Sequence, residues 1–150
     1  METANHRLQL LLEDLDAADG GLVALYHDDA FEWALQYEDE TVIHLTWRGE
    51  HSRIELACAV APLPESADGD LLKALLMCNL LSDESGGTRL ALSAPDKMVM
   101  LIRDLEPESL ELPALKDSLD ALRSRAMAVQ SYLREWQPAV RHDPAFPQTA

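Results

Sequence analysis

The sequence predicts an α+β domain whose elements run α-β-β-β-α-β-β-α, with three helices on a twisted antiparallel sheet. Three observations lead there. Leucines recur at helical spacing near both ends of the chain. Between them, consecutive segments alternate apolar and polar residues and are separated by short turns. The chain has 150 residues, 47% of them hydrophobic and 26% charged, a length and balance suited to one packed core over residues 1–137.

The elements follow in order. Residues 3–18 form an amphipathic helix, with Leu8, Leu11, Leu12 and Leu15 on one side and Glu13, Asp14 and Asp16 on the other. Gly20-Gly21 ends it, and a short extended piece, Leu22 to Tyr26, which allows an extra short strand near residue 24, meets an acidic turn at His27-Asp28-Asp29. Three strands come next. Trp33, Leu35 and Tyr37 share a face of the first, Ile43, Leu45 and Trp47 of the second, and Ile54, Leu56, Cys58 and Val60 of the third. The short turns between them make an antiparallel meander.

Pro62 and Pro64 stop the third strand, and Asp68 or Asp70 caps a second helix over Asp70 to Leu81. Gly86-Gly87 resets the chain for a second hairpin, Thr88 to Ser93 and Lys97 to Arg103, turning at Ala94-Pro95-Asp96. Pro113 suits the first position of the last helix, which carries Leu112, Leu115, Leu119, Leu122, Ala126, Val129, Leu133 and Trp136 at alternating steps of three and four. The proline-punctuated tail, 138–150, reads as disordered.

Charge narrows the partners. The net charge is -15, and residues 1–40 hold eleven acidic side chains against one basic, Arg7. Such a chain is repelled by nucleic acid and by anionic membrane surfaces. This acidic quarter is either a solubilising face or an acidic flank around an apolar groove. No stretch is long and apolar enough for a membrane span, and the first residues show no signal-peptide pattern, so a cytoplasmic location is expected. Two cysteines, Cys58 and Cys78, lie in apolar runs without CxxC spacing and read as buried thiols.

No catalytic constellation is visible. His6, His27, His44, His51 and His142 are scattered without metal-ligand spacing, and no glycine-rich phosphate loop or nucleophile elbow occurs. Neither a metal nor another cofactor is expected, and the chain reads as a binding protein rather than an enzyme.

The second helix carries the most information. From Leu71 to Leu81 only Lys73 and Asn79 are polar, so the helix is apolar nearly all round. With Leu72, Leu76 and Leu80 against the sheet, Leu71, Leu75 and Cys78 point elsewhere. Either another helix of the same chain covers them or a second chain does; with few covers available, a homodimer is favoured. The strand Met98 to Ile102 is also apolar on both faces, as a central or an interface strand would be.

The ordered combination resembles the type III secretion chaperones of the CesT-like, or Tir chaperone, group. A leucine-rich first helix precedes Gly20-Gly21-Leu22-Val23-Ala24-Leu25 and an Asp-rich turn, which here lacks the glycine often found in it. Ala59-Val60-Ala61-Pro62-Leu63-Pro64-Glu65 leads into Leu71-Leu72-Lys73-Ala74-Leu75-Leu76 and Asn79-Leu80-Leu81. Gly86-Gly87-Thr88-Arg89-Leu90-Ala91-Leu92 then precedes a paired strand and a long helix. The resemblance implies a bacterial homodimer that binds the N-terminal region of a secreted effector in extended form, by apolar patches and strand addition. It places the dimer contact at Leu71, Leu72, Leu75, Leu76, Cys78 and Asn79. It places effector contacts at Leu8, Leu11, Leu15, Trp33, Leu35, Ile43, Leu45 and Trp47, several of which also serve as core. A regulatory adaptor on the same fold and a small-molecule enzyme are the competing functions.

Overall fold

Alternation along the strands becomes, in the folded chain, a single antiparallel sheet of six strands. The structure, a computed structural model, describes residues 2–29, 31–80 and 87–136. The elements are α1 (Glu2–Ala18), β1 (Leu22–Asp29), β2 (Glu32–Tyr37), β3 (Val42–Arg48), β4 (Arg53–Pro62), α2 (Gly69–Leu80), β5 (Arg89–Ser93), β6 (Met98–Leu105) and α3 (Leu112–Arg134). Spatial order in the sheet is β1-β2-β3-β4-β6-β5.

The α+β class and the helix order agree with the sequence reading, and the extra short strand that the sequence allowed near residue 24 is present and longer than it suggested. The piece after Gly21 is a full edge strand of eight residues paired with β2, extending through what read as a turn at His27-Asp28-Asp29. Register shifts between Leu22 and Ala24 and between His27 and Asp29 break its period of two, which hid its length. The Met98–Ile102 segment lies in β6, an interior strand between β4 and β5, which accounts for apolar residues on both its faces. Leu81 and Gly86, expected at the end of the second helix and in the glycine turn, and the tail 138–150 lie outside the described residues.

Strand register builds the core. Leu25, Leu35, Ile43, Cys58, Leu101 and Leu90 pair successively across all six strands and form one apolar row. Trp33, Leu45 and Leu56 make a second row, and Trp47, Ile54 and Leu105 a third. Leu8, Leu12 and Leu15 of α1 and Leu115, Leu119, Leu122, Ala126 and Leu133 of α3 complete the same buried cluster. The other face of the sheet carries Tyr26, Ala34, His44, Ala57, Ile102 and Arg89 in a row, with Tyr26 and His44 exposed.

Turns obey local chemistry. Glu40, Ser52 and Lys97, one in each of three hairpin connections, take left-handed backbone angles. Asp39 Oδ1 accepts the Thr41 N–H at 3.0 Å, closing the β2–β3 turn. At the start of α2, Asp68 Oδ1 accepts the Leu71 N–H at 3.0 Å, which assigns the cap to Asp68 rather than Asp70.

Candidate functional site

Helix α2 lies along β5 at one end of the sheet, and one side chain fixes it there. The Leu90 N–H donates to Asn79 Oδ1 at 2.7 Å, and Asn79 Nδ2 donates to the Leu90 carbonyl at 3.1 Å. Leu71 is fully buried in the core and sets the rotation of the helix. The opposite side of α2 is left uncovered: Leu72 is 43% exposed, Leu76 69%, Met77 68% and Leu80 85%. Between the helix and β5 runs an apolar groove of about 270 Å³, lined by Leu72, Leu75, Leu76, Leu90, Leu92 and Val99 among others.

This corrects the orientation read from the sequence. Leu80 points outward rather than at the sheet, Leu72 and Leu76 rim the groove beside β5 while remaining exposed, and Leu71 points inward. Asp68 starts the helix so that Leu71 sits over the core, and Asn79, two turns on, faces the same way toward β5. Of the six expected contact residues, Leu72, Leu76 and Cys78 are exposed, Leu75 and Asn79 are half-buried, and Leu71 is core. Cys78 is thus not the buried thiol expected; Cys58 is. Met77, Leu80 and Leu92 join the apolar surface, though none of the three was among the expected contact residues.

The residues expected to contact an effector are placed differently. Leu8, Leu15, Trp33, Leu35, Ile43, Leu45 and Trp47 are buried, and Leu11 is half-buried against the core. Leu8, Leu11 and Trp47 nevertheless converge with Ile54 and Leu110 on a cavity of about 250 Å³. Its wall is pinned by Arg7, whose guanidinium donates to the carbonyls of Pro107 (3.1 Å), Glu108 (3.3 Å) and Leu110 (2.8 Å). Large apolar side chains that are exposed on this side of the sequence are Leu10, Val23, Tyr26 and Phe31. None lay on the alternating or helical stripes, and an interruption of those stripes is the only signal that marks them.

Electrostatics concentrates around Arg123 of α3. Its Nη2 donates to Asp39 Oδ2 at 3.0 Å, Nη1 lies 3.6 Å from Asp120, and the guanidinium sits 3.9 Å from the centroid of the Tyr37 ring. One cation thus ties α3 to the β2–β3 turn. Burial works to raise the Asp39 pKa, but the Thr41 hydrogen bonds and Arg123 outweigh it and hold it below the usual 3.8. Burial, with the nearby Asp19 charge, pushes the Tyr37 phenol well above its ordinary value. Burial also pushes the Cys58 thiol up to about 11, so it is not a nucleophile at neutral pH. Among the described residues no group of three or more His, Cys, Asp or Glu is arranged to hold a metal ion, and no helix is long and apolar enough to cross a membrane.

Comparison with known proteins draws these features together. The fold is similar to that of the HopA1–SchA chaperone–effector complex, at 18% identity and a TM-score of 0.72, covering 87% of this chain and 98% of that one. It is similar to the ExsC–ExsE complex, at 16% identity and a TM-score of 0.73, covering 86% and 95%. The Yersinia pestis type III secretion chaperone SycH, solved with a stable fragment of YscM2, is 24% identical with a TM-score of 0.61, covering 79% and 95%. No curated protein matches the chain by sequence. Residues 17–130, from the end of α1 through the whole sheet and α2 into α3, match the Tir chaperone protein (CesT) family, and the chain belongs to that family.

Proposed function

We propose that the protein is a cytoplasmic chaperone of a Gram-negative bacterium. It binds the N-terminal region of a type III secreted effector in extended form and keeps it soluble and competent for secretion. The observation that carries this reading is apolar surface in two separate places on a chain of net charge -15. The α2 surface, Leu72, Leu76, Met77 and Leu80 with Cys78 beside it, serves a second copy of the chain, making a homodimer. The α1 and β1 end of the molecule, with Leu10, Val23 and Phe31, Tyr26 on the outer sheet face, and the cavity at Leu8, Leu11 and Trp47, serves the client. Family membership and the chaperone complexes of similar fold support both assignments.

Such a client is held by apolar anchors and main-chain hydrogen bonds, with no ATP and no chemical step. The net charge of -15 keeps the empty chaperone soluble and deters wrong partners. The test is coexpression with a secreted protein encoded beside this one, followed by limited proteolysis. The N-terminal segment of the client becomes protease-resistant while its folded remainder stays sensitive and active. Complete inactivation of the client, with binding that collapses on adding salt, sinks the chaperone reading in favour of an acidic inhibitor or adaptor.

A further inference from the structure

The two edges of the sheet end on different terms. In an antiparallel ladder, alternate residues aim both main-chain groups at the neighbouring strand or both away from it. Leu90 of β5 aims both away from β6, and both meet Asn79. A carboxamide carries an acceptor oxygen and an NH₂ donor, so this side chain stands in for the peptide groups of a neighbouring strand. At β1, by contrast, no hydrogen bond among the described residues engages the outer side between Val23 and His27, and Val23 and Tyr26 are exposed there.

Left open, β5 would pair well with itself. Its sequence is Arg89-Leu90-Ala91-Leu92-Ser93. An antiparallel pair of β5 strands centred on Ala91 sets Leu90 against Leu92 and Arg89 against Ser93, with no like charges opposed. Leu90 and Leu92, two residues apart, both offer their main-chain groups outward in that pairing. An apolar edge without a charge at its centre is a template for edge-to-edge association.

We infer that Asn79 closes the β5 edge against strand pairing with a second copy of the chain, so that strand addition is confined to β1. Copies then meet through apolar side chains on α2 rather than through a continuous sheet. The inference rests on the two hydrogen bonds, the strand order and the proposed homodimer, and it does not depend on the client.

Hydrogen exchange at single amides and light scattering test it on the full chain. In the wild type the Leu90 amide is protected although it lies on an edge. In Asn79→Ala that amide exchanges roughly tenfold faster or more, while the Val99 amide keeps its rate. The variant also forms species larger than the wild type, increasingly so with concentration. Wild-type exchange at Leu90 as fast as an open edge amide overturns the inference, and this measurement decides even if Asn79→Ala does not fold. A folded Asn79→Ala of wild-type size overturns it. So does a folded variant smaller than the wild type, which would place Asn79 in the contact between copies.

Discussion

Substitution of Leu76 separates self-association from folding. Its side chain is 69% exposed and is not part of the buried cluster. Full burial of a leucine is worth about 1.5–3 kcal/mol, so covering what remains exposed contributes about 1–2 kcal/mol per protomer. A two-fold contact uses the residue twice, which makes about 2–4 kcal/mol per dimer. Leu76→Ala should then weaken the dimer about 30- to 1000-fold, at about 1.4 kcal/mol per tenfold. Leu76→Arg should go further, because it brings two guanidiniums into a desolvated contact. Sedimentation equilibrium over a dilution series gives the dissociation constants, and circular dichroism melts report folding. The melts should barely move. Leu75→Arg is the contrasting variant: half-buried against the core, Leu75 should lose the fold rather than the dimer alone. Refutation would be a Leu76→Arg protein that dimerises as tightly as the wild type, or a wild type that is monomeric at micromolar concentration.

Other expectations are narrower. Asp39 has a depressed pKa, so its pairing stabilises the fold above the ordinary 3.8 and that stability fades as pH falls through the lower folded value. Melts of Asp39→Asn from about pH 5 to pH 2 should therefore be less acid-sensitive than the wild type; equal acid slopes would remove the Arg123 pair as a stabiliser. Leu71→Ala should cost about 2–5 kcal/mol in urea unfolding, since it empties a fully buried site, and a loss under 1 kcal/mol would mean that α2 sits in another rotation. Removing three main-chain acceptors' donor by Arg7→Ala should cost about 1–3 kcal/mol and speed amide exchange in α1, with unchanged exchange counting against the anchor. A neutral maleimide should leave Cys58 unmodified until denaturant is added, whereas rapid native labelling of Cys58 would contradict its burial.

Much of the architecture was legible because it repeats. Trp33, Leu35 and Tyr37, then Ile43, Leu45 and Trp47, alternate cleanly, and each set is buried on one face. The stripe from Leu115 to Leu133 in the last helix, and Trp136 just beyond its end, likewise met the core. What failed to show were the interruptions. In β1 two register shifts spoil the alternation, so a strand of eight residues looked like a short piece and a turn. In α2 nearly every side chain is apolar, so periodicity cannot say which way the helix is rolled; a cap at Asp68 and a clasp at Asn79 decide it. The same logic applies to the proposed client side. Clean stripes mark residues that a chain buries in itself, as Trp33 and Ile43 are, so the large apolar side chains left exposed there fall on off-pattern positions such as Val23 and Tyr26.

Arg7 reaches carbonyls a hundred residues further along the chain. During synthesis α1 therefore emerges long before the segment that Arg7 grips, with Leu8, Leu12 and Leu15 not yet covered by α3. The strands can pair with their neighbours as they appear, since all but one of the pairings join consecutive strands. The first helix can rest against β1 early, but its Arg7 anchor and its contact with α3 wait until the connection at 107–110 and then α3 have left the ribosome. For much of its own birth the protein is thus a sheet whose leading leucine helix is sheltered on one side only. Its last helix closes the molecule from the other end.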